Sequence, residues 1–131
     1  DTPRGLMVPT LMNANLKSLN DISAEAKKLA TDAQAGTINP DLLKGGTFTI
    51  TNLGTMGIES FTPVINPPQT GILGVNTLET RVKNVNGEMK MYQAMTLSLT
   101  FDHRALDGAP AARFLQELCK NLENFTMLLI K

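Results

Sequence analysis

Between Met95 and Phe101 apolar and polar residues alternate without a break, with Met95, Leu97, Leu99 and Phe101 on one side and Thr96, Ser98 and Thr100 on the other. A period of two predicts a half-buried strand. Further on the period changes to that of a helix. Ala111, Phe114, Leu115, Leu118, Cys119 and Leu122 recur on one face, and Pro110 stands early, where its missing N–H is least costly. Between the two patterns runs Asp102-His103-Arg104-Ala105-Leu106-Asp107-Gly108, a strand-to-helix turn that holds the chain's single histidine. Turns mounted on rigid elements are favoured places for chemistry. A lone histidine is equally consistent with packing or surface decoration.

The same patterning organises the rest of the chain. Leu6 to Leu11 is a short apolar stretch interrupted by Pro9, which predicts an edge strand or a strand end. Leu16, Leu19, Ile22, Ala26, Leu29, Ala30 and Ala33 form an apolar stripe, with Ser18 and Asp21 at capping-box spacing and Gly36 as a stop. Its polar face (Glu25, Lys27, Lys28, Asp32) is a solvated surface. A linker from Ile38 to Gly46 turns at Asn39-Pro40. Thr47 to Leu53 is β-branched and alternating, with Phe48 and Ile50 expected inward and Thr47, Thr49 and Thr51 on the opposite face. Gly54 and Gly57 end it. Their spacing lacks the Lys-Ser/Thr of a phosphate loop, so they are taken as backbone turns. Asn66-Pro67-Pro68-Gln69 is a rigid extended turn leading into a short buried strand, Ile72 to Val75. Arg81 to Val85 and Glu88 to Tyr92 flank Asn86-Gly87, a strong hairpin signal. Phe125 to Ile130 is an apolar tail that needs a neighbour to pack against.

Composition narrows the function classes. At 131 residues a single domain is expected. Twelve basic and twelve acidic residues leave no net charge, so neither nucleic acid nor an anionic membrane is an expected partner. No run approaches the roughly 18 apolar residues of a membrane span, and no signal peptide is expected. Cys119 is the lone cysteine, which fits a reducing compartment, and its spacing with Leu115 and Leu122 puts it in the core. With one Cys and one His, no metal site is expected.

Asp-His-Arg-x-x-Asp-Gly followed by an Ala-rich amphipathic helix resembles the C-terminal signature of dihydrolipoyl acyltransferases, the core subunits of 2-oxo acid dehydrogenase complexes. Three further segments resemble that family, in its order. They are Arg4-Gly5-Leu6-Met7-Val8-Pro9, Gly46 to Gly54, and Ile65-Asn66-Pro67-Pro68-Gln69 through Gly71-Ile72-Leu73-Gly74. The resemblance implies an α/β fold of the chloramphenicol acetyltransferase type, a two-layer sandwich of a mixed sheet with helices on one side. Residues 1–131 would be the C-terminal part of the catalytic domain, with the upstream catalytic region and the subunit-binding and lipoyl domains absent.

For chemistry, the resemblance implies acetyl transfer between a dihydrolipoyl-lysine arm on a separate lipoyl domain and coenzyme A. Acyl transfer between thiols needs a base, since a thiol near pKa 8.5 is mostly protonated at neutral pH, and imidazole near 6.5 suits. His103 is that base by resemblance, and Cys119 is not required. Thr51 is the oxyanion donor, where the family usually carries serine; β-branching narrows its rotamers. By its residues alone Thr51 is one of three strand threonines. Asp107 either orients the imidazole or forms an ion pair that holds the turn, and the chloramphenicol acetyltransferase likeness favours the ion pair. Asp102 and Arg104 are taken as turn-fixing residues, and no residue is assigned to coenzyme A.

The resemblance further implies a homotrimer in which His103 of one subunit faces Thr51 of the next, assembling into a larger core. That core would be served by lipoyl domains and by dehydrogenase and dihydrolipoamide dehydrogenase components, in the cytoplasm of a bacterium or the mitochondrial matrix. Asn52-Leu53-Gly54 resembles the acetyl branch more than the succinyl one. Acetoin, branched-chain and 2-oxoglutarate complexes are the alternatives, and so is a non-catalytic core subunit. An antibiotic acetyltransferase fits the histidine motif but not Asn-Pro-Pro-Gln.

Overall fold

Ser18 stands in extended backbone, its hydroxyl accepts from the Asp21 backbone N–H, and the Asp21 carboxylate accepts from the Ser18 N–H, which closes the capping box. Helix α1 (Leu19–Ala35) starts there and ends at Gly36, whose φ of 73° places it in the left-handed region where glycine is unstrained. The computed structural model describes residues 1–128, and the chain divides into two compact units: Asp1–Thr47, and a second from Phe48 on. In the first, Leu29 and Ala33 of α1 are buried, beside an open cleft of about 250 Å³ lined also by Met7 and Leu11. Two expectations fail here. Leu6 to Leu11 forms no strand; Pro9 has no N–H, and the segment's backbone tie is a single bond from Thr10 N–H to the Leu42 carbonyl. Leu16 lies outside the helix in a 3-10 turn and is 80% exposed, because the Ser18 cap starts the helix after it.

The second unit is mixed α/β. Its sheet contains β1 (Thr49–Asn52), β2 (Gly71–Val85) and β3 (Glu88–Phe101), with β2 central, parallel to β1 and antiparallel to β3. The buried stretch from Ile72 and the hairpin arm ending at Val85 form one continuous strand, bulged between Val75 and Leu78. Asn86 and Gly87 turn the hairpin with φ of 55° and 92°, the left-handed pair that a tight two-residue turn requires. Helix α2 (Gly108–Glu123) packs its Phe114 ring edge-on to Phe48 at 6.1 Å, and Ala111 is buried beneath it. A short α3 (Phe125–Leu128) follows; the end of the apolar tail, residues 129–131, lies outside the described residues.

Register assigns the faces. Thr49, Thr51, Ile72, Gly74, Asn76, Ser98 and Thr100 share one side, and Phe48, Ile50, Leu73, Leu99 and Phe101 share the other. The expectation for β1 is corrected. Thr49, expected outward, is 8% exposed, whereas Ile50, expected inward, is 67% exposed. The cause is that the connection between β1 and β2 covers the threonine face. Phe61 and Pro63 lie so close over Gly74 that a Cβ there would stand 3.0 Å from the Phe61 ring, and Thr49 donates its hydroxyl to Gln69 Oε1 at 2.6 Å. Alternation along β1 therefore still separates a buried from an exposed residue, but with the two faces exchanged. Cys119 is half-buried rather than buried. No described helix is long and apolar enough to cross a membrane. Past β1 the hairpin runs on with Leu78, Val82, Met89, Met91 and Met95 exposed.

Candidate active site

The histidine turn is built around Asp102. Its N–H donates to the Thr70 carbonyl at 2.9 Å, tying the end of β3 to the start of β2, and its own carbonyl accepts from the N–H groups of Ala105 and Leu106. Its carboxylate accepts from the Arg104 backbone N–H at 2.9 Å and from the guanidinium at Nε (3.0 Å) and Nη2 (2.7 Å). The Arg104 guanidinium and backbone N–H hold the Asp102 carboxyl down at about 2. Asp102 and Arg104 are therefore spent on each other, as the sequence predicts for turn-fixing residues.

That leaves His103 free to project. Its imidazole leans on the Phe101 ring, centroids 5.8 Å apart, and its side chain is 72% exposed. Nδ1 lies 3.7 Å from Asp107 Oδ1, within reach of an ion pair but too long for a hydrogen bond. Asp107 stands at the N-cap of α2 in extended backbone, with its carbonyl accepting from the Ala111 N–H and its side chain making no capping bond. Helix start and histidine turn thus bring His103 and Asp107 together as neighbours, with the Nε2 edge of the ring turned away from the carboxylate.

Thr51 is not part of that cluster. It is half-buried on β1, paired with Gly74, which pairs in turn with Ser98. It therefore stands two strands across from β3 and three residues short of Phe101. At about 4.8 Å between strands and about 3.3 Å per residue, its backbone is roughly 14 Å from that of Phe101. Among the described residues no hydrogen bond joins Thr51 to His103, so within one copy of the chain the two are not linked. Among the described residues no group of three or more His, Cys, Asp or Glu is placed to hold a metal. One polar residue the patterning passes over is Asn76, 3% exposed at the bulge of β2. The signal available for it was an amide at the end of an apolar strand run, where Asn is disfavoured.

Comparison with known proteins places this geometry. Residues 1–130 match the 2-oxoacid dehydrogenases acyltransferase (catalytic domain) family. The dihydrolipoyllysine-residue acetyltransferase component of the mitochondrial pyruvate dehydrogenase complex of Dictyostelium discoideum is 43% identical over 99% of this chain and 21% of its own length. The succinyltransferase component of the 2-oxoglutarate dehydrogenase complex of Escherichia coli K12 is 40% identical over 98% of this chain and 32% of its own. Among solved structures, Azotobacter vinelandii dihydrolipoamide acetyltransferase superposes with a TM-score of 0.93 at 38% identity, covering 98% of this chain and 53% of that one; a serine, a histidine and an asparagine were investigated in its catalytic mechanism. The cubic core of a pyruvate dehydrogenase multienzyme complex matches equally well, with a TM-score of 0.93. This chain thus spans a fifth to a third of the curated relatives and about half of the solved chains. By sequence match along all but its last residue, and by fold, it belongs to the family of 2-oxoacid dehydrogenase acyltransferase catalytic domains.

Proposed function

We propose that the protein carrying this chain transfers an acetyl group between a dihydrolipoyl-lysine arm and coenzyme A, in a 2-oxo acid dehydrogenase complex of the pyruvate dehydrogenase type. Residues 1–131 are then the C-terminal part of its catalytic domain. The observation that carries this reading is one of spacing. Thr51, His103 and Asp107 are set along this chain as the serine, histidine and asparagine are in the Azotobacter vinelandii enzyme. His103 Nε2 takes the proton of the coenzyme A thiol as its sulfur bonds to the thioester carbonyl carbon. The Thr51 hydroxyl donates to the carbonyl oxygen as it becomes an oxyanion. The C–S bond to the dihydrolipoyl sulfur then breaks, and His103 returns the proton to that sulfur. Asp107, beside Nδ1, orients the ring.

Because Thr51 and His103 stand apart within one chain, the site is shared between subunits of a homotrimer, with His103 of one facing Thr51 of the next. The exposed methionine-rich side of the hairpin supports association with further protein, and the likeness to a cubic core supports assembly beyond the trimer. Lipoyl domains and the dehydrogenase and dihydrolipoamide dehydrogenase components are the partners, in a bacterial cytoplasm or the mitochondrial matrix. Substituting His103→Ala in the full-length protein should lower the rate of acetyl transfer from acetyl-dihydrolipoamide to coenzyme A by about 10²–10⁴-fold, with the circular dichroism spectrum unchanged. A folded variant that turns over at the parent rate removes His103 from the chemistry.

A further inference from the structure

Asn76 is the most deeply buried polar side chain among the described residues, and its hydrogen bonds are lopsided. Nδ2 donates to the hydroxyls of Thr96 (2.8 Å) and Ser98 (3.2 Å) on β3. The Thr96 hydroxyl has a single proton, spent on the Glu59 carbonyl at 3.1 Å, so towards Asn76 it accepts. This fixes the amide nitrogen towards β3 and turns Oδ1 away from it, where Oδ1 has no hydrogen-bond partner among the described residues. A half-paired buried amide is a poor device for stability, since an apolar side chain of similar size would avoid the unpaired oxygen.

The same bulge grips the loop that leaves β1. Leu53 N–H donates to the Val75 carbonyl at 3.2 Å, and Thr77 N–H donates to the Ile58 carbonyl at 2.9 Å. Gly54 lies so close to the Asn76 backbone that a Cβ would stand 2.3 Å from its carbonyl oxygen. The relay from the Asn76 amide through Thr96 to Glu59 adds the last point of attachment. Residues 53–59, which begin two positions after Thr51, are thus clamped from Leu53 to Glu59 by Asn76 and its immediate neighbours.

We propose that Asn76 is a positioning residue for the Thr51 hydroxyl: through Thr96 and Glu59 it sets the loop that follows β1, and with it the direction in which that hydroxyl points. The inference rests on Thr51 being the oxyanion donor. Two substitutions cut the relay from opposite ends, Asn76→Leu at the amide and Thr96→Val at the hydroxyl. Each is made in the full-length protein, alone and combined with Thr51→Ala, and acetyl transfer to coenzyme A and melting temperature are measured.

Each relay variant should lower kcat roughly 10- to 100-fold, the loss that a misplacement of about 1 Å at a reacting group produces. KM for coenzyme A should stay unchanged, and the melting temperature of Asn76→Leu should not fall. In the Thr51→Ala background the same substitutions should change kcat by less than about twofold, because the group they position is gone. Equal losses in both backgrounds, or no loss with Thr51 present, overturn the proposal while leaving Thr51 in its role. A Thr51→Ala enzyme with undiminished kcat overturns the oxyanion assignment and this inference with it. Should Asn76→Leu fail to fold, the Thr96→Val pair carries the same comparison, since it removes only a hydroxyl.

Discussion

Mixing two inactive variants tests the shared site. Thr51→Ala and His103→Ala are co-expressed in the full-length protein with distinguishable tags, and mixed trimers are isolated. Within one chain the backbones of Thr51 and Phe101 are separated by about 14 Å, by strand spacing and rise, against the ~3 Å of a hydrogen bond. His103 follows Phe101 by two residues, in the turn beyond the end of β3. On the proposed arrangement, a ring of three, each site takes His103 from one subunit and Thr51 from the next. Every isolated mixed trimer, whichever variant is in the majority, then has both intact residues at one of its three sites.

The parents should each retain about 1% of wild-type turnover or less, from losses of about 10²–10⁴-fold and 10²–10³-fold. The isolated mixed trimers should therefore recover to about a third of wild type, a gain of at least roughly 30-fold over either parent. Acetyl transfer to coenzyme A is assayed at matched subunit concentration, with light scattering confirming that the mixed species are trimers. A mixture whose activity equals the weighted mean of its parents refutes a site built between subunits, since a site within one chain gains nothing from mixing.

Two further outcomes bear on the same turn and strand. Thr51→Ser should keep most of the turnover while Thr51→Ala loses about 10²–10³-fold, because only the hydroxyl is asked to donate; steady-state kinetics in which the two variants behave alike would exclude the hydroxyl from the chemistry. The Asp102 carboxyl, held at about 2 against an ordinary 3.8, contributes to the turn fully above the ordinary carboxylate range and loses that contribution as pH falls towards 2. A carboxyl NMR titration should follow this, and Arg104→Ala should return the midpoint towards 3.8; a midpoint unmoved by that substitution would assign the effect to something other than the guanidinium.

Local physics was legible along the chain. The Ser18 and Asp21 box, the Gly36 stop, the Asn86-Gly87 turn and the strand-to-helix change around His103 depend on residues within a few positions of each other, so spacing sufficed for them. The turn-fixing part of Asp102 and Arg104 was legible for the same reason, although their pairing with each other was not. Other features required partners distant in sequence. Whether Thr49 or Ile50 is buried depends on Phe61, Pro63 and Gln69 lying over the threonine face, and alternation within β1 carries no record of that cover. Leu6 to Leu11 has strand composition, yet a strand exists only where a neighbouring edge offers its N–H and C=O groups. Nothing beside Asn76 in the sequence marks it for burial; its partners Thr96 and Ser98, and Glu59 beyond Thr96, come from distant segments. The candidate site divides along the same line. The residue types at 51, 103 and 107 were readable in sequence, and so was the closeness of His103 to Asp107 across one helix start. The separation of Thr51 from the end of β3, where the histidine turn begins, was decided by sheet order, because β2 lies between β1 and β3.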